Sequence, residues 1–294
     1  MIRHLLVTML LASTFGIAQN PIQNPVQNPV QNPGSIVTPL RLDAALTPLG
    51  QRADIDWSRG VLRAVGAGRV VGGDSAARRE LLATGAARAD ALRLLALLVN
   101  NVPVSGQREV GDYAISVDAF VQGARIGPGR RVRLADGTEV VWVEATLPLF
   151  GSRQALAALV LPLHRETGRS LSSSLTSAGA GAGYSGLIVE VRGVGLEPSL
   201  APRIVTPERD LVYSIRNLPS RGGNGLGLVA YYGSPQHAAA RVGTNPLVVV
   251  VTPTTTDGPV DDLVVGPDDA RRILAADATN NFLSRGRVAV VWRP

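Results

Sequence analysis

Cysteine is absent from this 294-residue sequence, and so is lysine. Without cysteine there is no disulfide, no thiolate metal site, no thiol nucleophile and no acylation on sulfur. That absence alone does not fix a redox compartment, since many envelope proteins also lack cystine. Without lysine all 29 basic residues are arginine, which fits a coding bias toward that residue. Beyond the N-terminal segment no stretch offers about 18 consecutive apolar residues, so no transmembrane segment is expected. The three tryptophans, Trp57, Trp142 and Trp292, are too dispersed to read as a sugar-stacking platform. The densest basic cluster, "GPGRRVRLADG", has no aromatic residues interleaved, which argues against nucleic-acid recognition.

What is present begins with "MIRHLLVTMLLASTFGIAQ". Arg3, an apolar run from Leu5 to Leu11 and the small residues around Gly16-Ile17-Ala18 have the layout of a secretory signal peptide over residues 1–18. The mature chain is then expected to begin at Gln19. Loss of Arg3 lowers the net charge from +6 to +5. That surplus suits weak attraction to anionic lipid, surface polysaccharide or an acidic partner. Next comes "QNPIQNPVQNPVQNP", with proline in every four-residue unit. Such a repeat cannot bury a core and disfavours helix, so residues 19–50 are expected to form an extended spacer or tether.

The globular pattern starts at Ile55, in a first domain spanning 51–164. "GVLRAVGAGRVV" reads as a strand, and a helix is expected from about Ser75 to Val99, with Asp74 available to cap it. Leu81, Leu82, Ala89, Leu92, Leu95 and Val99 recur at helical spacing, and the many alanines would let this helix lie close to a sheet. "YAISVDAFVQGARI" alternates like a half-buried strand, and an Asp136-Gly137 turn leads into a strand over Glu139 to Leu149. Residues 165–183 are rich in serine and glycine and read as a linker. A second domain follows over 184–294. It has a strand in "SGLIVEVRG", short strands at 203–205 and 211–213, "NPLVVVV", a helix from about Pro267 to Ala278, and the last strand "GRVAVVW". The fold class expected is α+β, two small helix-on-sheet domains after a signal peptide and a Pro-rich spacer.

Residues able to do chemistry are few and scattered. Asp54 and Asp56 stand two apart, but Trp57, Ser58 and Arg59 follow where a calcium loop would place further oxygen ligands. Asp54 reads as solvated, and Asp56 as an acceptor for the backbone of the Ser58-Arg59-Gly60 turn. His164 and His237 lie in different blocks without metal-ligand spacing and read as surface histidines. Ser185 in "GYSGL" and Ser234 in "YYGSPQH" lack the strand–nucleophile–helix setting of a nucleophile elbow. The Gly-rich stretch at 220–227 precedes an expected strand, "LVAYYG", where a phosphate cradle needs a helix. Asp118, Glu144 and Glu190 are expected strand carboxylates on a solvated sheet face. No catalytic, cofactor-binding or metal-binding residue is assigned.

The block from Ile55 to Leu149 resembles the LPP20-type lipoprotein domain of bacterial envelope and flagellar accessory proteins. The runs that carry this are "IDWSRGVLRAVGAG", "ARADALRLLALLVNNVPV", "VQGARI" and "GTEVVWVEATLPLFG". The second block resembles secreted relatives of flagellar assembly protein T in "YSGLIVEVRGVGLEPSLAPRI", "RVGTNPLVVV" and "FLSRGRVAVVW". In the first resemblance the Asp56-Trp57 pair starts a strand and is no catalytic signature. The chain departs from the lipoproteins in having no acylatable cysteine. The expectation is therefore an exported, non-enzymatic protein of the periplasm or outer envelope, a structural or assembly component that docks on envelope or surface-complex proteins. The alternative is a periplasmic or extracellular hydrolase of wall or surface polymer, with Glu144, Glu190 and the 220–227 loop as its candidates.

Overall fold

The computed structural model describes residues 35–39, 52–106, 108–171, 183–193, 195–219, 226–251 and 262–292. The span expected as a leader, the Gln-Asn-Pro repeat and residues 220–225 of the Gly-rich stretch lie outside them. The chain forms a mixed α+β fold with two sheet-and-helix regions.

The first region runs β1 (Val37–Pro39), β2 (Ala53–Asp56), β3 (Val61–Arg69), α1 (Ala76–Asn100), β4 (Pro103–Ser105), β5 (Arg108–Glu109), α2 (Val117–Gln122), β6 (Arg125–Ile126), β7 (Arg130–Arg133), β8 (Glu139–Pro148) and α3 (Leu156–Val160). Its main sheet is antiparallel in the order β1-β2-β3-β8-β6, with β7 also on β8. The second region runs β9 (Gly186–Val191), β10 (Arg203–Val205), β11 (Leu211–Tyr213), β12 (Ala230–Tyr232), α4 (Pro235–Val242), β13 (Pro246–Val251), β14 (Asp262–Val264), α5 (Pro267–Asn280) and β15 (Val288–Trp292). Here a parallel sheet, β12-β15-β9-β13, stands beside a small mixed sheet, β11-β10-β14. The parallel strands are short and almost wholly apolar; β9 and β15 are covered on both faces, whereas β13 exposes one.

The long helix forms as expected and buries Leu95 and Val99 of the expected face, with Leu92 partly covered, but the N-terminal part of that face stays outside. Ala83, Ala87, Ala91, Leu94, Leu95, Leu98 and Val99 point inward, while Leu81, Leu82 and Ala89 are exposed. Ser75, not Asp74, caps it, its Oγ accepting from Arg78 N at 3.2 Å. The alanine stripe lies on β3 at Gly66 and Gly68. A Cβ on Gly66 would collide with the Ala87 carbonyl oxygen and the Ala91 amide, and one on Gly68 with the Ala83 carbonyl. Asp90 reinforces this seat, accepting from Ala67 N at 2.9 Å and from Arg52 Nη1 at 2.8 Å. Arg52 Nη1 also donates to Val65 O, so two side chains satisfy the edge of β3 beyond the end of β2.

Several segments differ from the reading of the sequence. Residues 113–126, expected as a strand, carry α2 instead, N-capped by Ser116, and only Arg125 and Ile126 join a sheet. Alternation over so short a run fits either period. The Asp56-Trp57 pair does not start a strand: Asp56 ends β2, and Trp57 opens the turn into β3. Val37–Pro39, within the span read as spacer, pairs with β2. Residues 166–171, within the span read as linker, are fastened to the second region. Arg216 donates to the Glu166 and Gly168 carbonyls, and Leu171 N donates to Leu211 O.

The two regions meet across one continuous buried core. Trp57, 2% exposed, sets its ring edge-on against Tyr231 at 5.5 Å between centroids, with Phe150 tilted at 6.4 Å. Phe150 in turn covers Gly227, whose positive φ of 72° and close approach to the ring both exclude a side chain. Backbone bonds cross the junction too, from Leu200 N to Pro103 O at 2.9 Å and from Ala201 N to Val104 O at 2.8 Å.

Gly66→Ala or Gly68→Ala is expected to cost about 3–5 kcal/mol or abolish folding, because the obstructing atoms are backbone. Gly85→Ala, on the exposed side of α1 with open space around it, should instead stabilise by about 0.5–1 kcal/mol. Urea unfolding of the three variants checks both signs.

Candidate functional site

Two groupings of polar side chains emerge. The first is a cleft of about 220 Å³ on the face of the first sheet opposite α1, lined by Arg52, Asp54, Arg63, Arg130, Trp142 and Glu144. Strand alternation puts them there: Asp54 pairs across strands with Arg63, and Val65 with Glu144, so all four share one face. Arg63 donates to Asp54 Oδ2 through Nη2 at 2.6 Å and Nε at 3.2 Å, and its Nη1 stands 4.0 Å from Glu144 Oε2. Hydrogen bonding to Asp54 raises the Arg63 pKa above its already high ordinary value, against the opposing effect of burial. Asp54 is therefore not solvated as expected; it is held in an ion pair and only 18% exposed. Trp142 is buried beside it, and its indole N–H meets no acceptor among the described residues.

Asp56 serves the turn. Its Oδ1 accepts from Ser58 Oγ at 2.7 Å and Arg59 N at 2.9 Å. Both aspartates are thus engaged by neighbours, with the arginines 59 and 63 beside them, a setting hostile to a cation. Among the described residues no group of three or more His, Cys, Asp or Glu side chains stands together to hold a metal ion.

The second grouping is buried where the regions join. His164 is only 5% exposed, not a surface residue as its sequence context suggested. Its Nδ1 is 2.7 Å from the Tyr113 hydroxyl, and its Nε2 is 3.7 Å from Glu166 Oε2, beyond hydrogen-bond reach. Glu166 Oε1 faces Arg203 Nη1 at 3.4 Å. Arg203 also donates from Nε and Nη2 to the two oxygens of Asp262, each at 2.6 Å, and Arg209 joins Asp262 from outside. Burial works to raise the Glu166 carboxyl, but the His164 ring and the Arg203 guanidinium outweigh it and hold the group below the ordinary glutamate range. Burial likewise pushes the Tyr113 phenol up, against the pull of Arg108. Residue spacing gave no hint of this set, which draws on four separate segments.

The remaining candidates stay apart. Asp118 lies in the first turn of α2, not on a strand; Glu144 is on β8 and Glu190 on β9, in different sheets. Ser185 Oγ donates to Val242 O and accepts from Asn245 N, a structural clasp. Ser234 Oγ lies 3.1 Å from Nδ1 of the exposed His237, but Ser234 occupies the N-cap position of α4, and no carboxylate hydrogen-bonds His237 among the described residues.

Glu166→Gln should lower stability at neutral pH by about 1–3 kcal/mol, by leaving buried partners with a weaker acceptor. A depressed folded-state pKa means that the carboxylate's contribution is present above the ordinary glutamate range and disappears as pH falls through the depressed value. The gap between wild type and variant should accordingly close in acid, as read by urea midpoints across pH. A chelator should leave the wild-type melting temperature unchanged, and Asp56→Asn should cost roughly 0.5–2 kcal/mol through its turn. A chelator-induced drop that vanishes in an Asp54→Asn, Asp56→Asn double variant would restore the metal reading.

Comparison with known proteins bears on the second region. A family model described as the second domain of Treponema pallidum Tp0624 matches residues 186–294, starting at the first residue of β9. No curated protein matches the chain.

Proposed function

We propose that this chain is an exported, non-enzymatic protein of the periplasm or outer envelope that serves as a structural or assembly component of a surface or envelope complex. The leader and spacer read from residues 1–50, together with the resemblance to LPP20-type and flagellar assembly protein T-like sequences, support the location. Among the described residues no helix is long and apolar enough to cross a membrane.

The observation that carries the proposal is how the carboxylates are used. In the cleft Asp54 and Glu144 both face Arg63, and at the junction Glu166 and Asp262 both face Arg203. Asp54, Glu166 and Asp262 are held close to arginine and largely covered, while Glu144, more than half exposed, stands at the edge of ion-pair reach. Arginine–carboxylate pairing of this kind fixes geometry. The shared core serves the same end, since it joins the two regions through packed side chains.

One observation favours the hydrolase alternative. Asp54 and Glu144 do converge on one cleft, though the expected pair Glu144 and Glu190 does not. The two readings part experimentally. Cell-fractionation followed by cross-linking through carboxylates or by photochemistry should recover the protein bound to envelope components; amine reagents are unsuitable in a lysine-free chain. Purified protein should release no soluble fragments from wall or surface polymer. Release that Asp54→Asn or Glu144→Gln abolishes would establish the hydrolase, and recovery solely as a free monomer would defeat the assembly role.

A further inference from the structure

β13 ends the parallel sheet. It pairs with β9, and no described strand lies along its other edge. Soluble proteins usually blunt such an edge with charge, a bulge or an internal proline. This one reads Pro-Leu-Val-Val-Val-Val, six residues without charge, paired to β9 in unbroken register, and its proline stands at the first position. Leu247, Val249 and Val251 are buried, whereas Val248 and Val250 are 45% and 43% exposed.

We propose that β13 pairs with β13 of a second copy, antiparallel about a two-fold axis at Val249, so that two four-stranded sheets become one of eight. The burial pattern from 247 to 251 is symmetric about Val249. A two-fold axis there sets Leu247 opposite the partner's Val251 and Val248 opposite the partner's Val250. Paired residues in an antiparallel ladder share a face, so buried positions meet buried and exposed meet exposed. Pairing Val248 with the partner's Val249 would instead set an exposed residue against a buried one, which the pleat forbids. The exposed valines then cover one another, and no like charges meet. The strand can thus pair with its own copy without a mismatched face or a charge clash, which is what the isologous arrangement of homodimers requires. Two short strands make a contact below standard interface size, so the dimer is expected at about micromolar strength. The inference is independent of the envelope reading, because β13 belongs neither to the cleft nor to the junction.

Sedimentation equilibrium of the full chain, with amide exchange of residues 247–251 at each concentration, tests it. The expected result is a mass that doubles across the micromolar range, with β13 exchange slowing in step. Val248→Lys and Val250→Lys, at exposed positions, should leave the melting temperature unchanged at concentrations where the wild type is monomeric, and weaken dimerisation by about tenfold or more. A monomer throughout with fast β13 exchange would overturn the proposal. So would a monomer with slow exchange, which would mean that another part of the chain covers the edge. A dimer whose strength neither lysine alters, or whose formation leaves β13 exchange unchanged, would place the interface elsewhere and overturn it as well. The exchange measurement on the wild type decides even if a lysine variant fails to fold.

Discussion

The close seat of α1 on β3 is the constraint from which the first region follows. Two glycines on the strand and three alanines on the helix let backbone approach backbone, so the contact is dispersion between main chains rather than between large side chains. Such a contact has almost no slack. It sets the register in which Asp90 can reach Ala67 N, and through Asp90 it holds the buried guanidinium of Arg52. Arg52 then stands beside the Asp54–Arg63 pair in the cleft. A chain of geometric dependence thus runs from the absence of two Cβ atoms to the placement of the polar cleft on the opposite face.

Much of this was legible in the sequence where one signal dominated. The span of α1, the strands of β3, β8, β9, β13 and β15, and the short pair β10–β11 all follow apolar runs bounded by turn residues. Alanine content foretold a close helix–sheet contact, but not which face made it. Leu81 and Leu82 outrank alanine on any hydropathy scale, yet the glycine-lined strand has room only for the smaller residues. The stretch around Asp118 failed for a different reason. Six residues of helix capped by a serine leave too short a pattern to tell from a strand.

The polar groupings were less legible, because neither is local. Asp54, Arg63 and Glu144 could each be placed on a strand, but their meeting depends on strand order, which no spacing rule supplies. His164 was harder still. It follows a helix and precedes a serine-rich stretch, yet it lies buried between Tyr113 and a segment fastened to the second region. The low count of histidines gave no warning that one of them would sit in a buried network with a tyrosine and a glutamate.

The common core also bears on how the molecule comes into being. Trp57 belongs to the earliest third of the chain, and its ring partner Tyr231 to the last third. During synthesis, β1 to α3 emerge first with Trp57 and Phe150 still lacking their cover from β12 and Gly227. The backbone groups of Pro103 and Val104 likewise wait for Leu200 and Ala201. The N-terminal half therefore meets its surroundings with sticky aromatic surface showing, and it is native only once nearly the whole polypeptide has arrived. Until then the covering contacts of its aromatic pair do not exist, and the risk of aggregation is set by how fast the second half arrives.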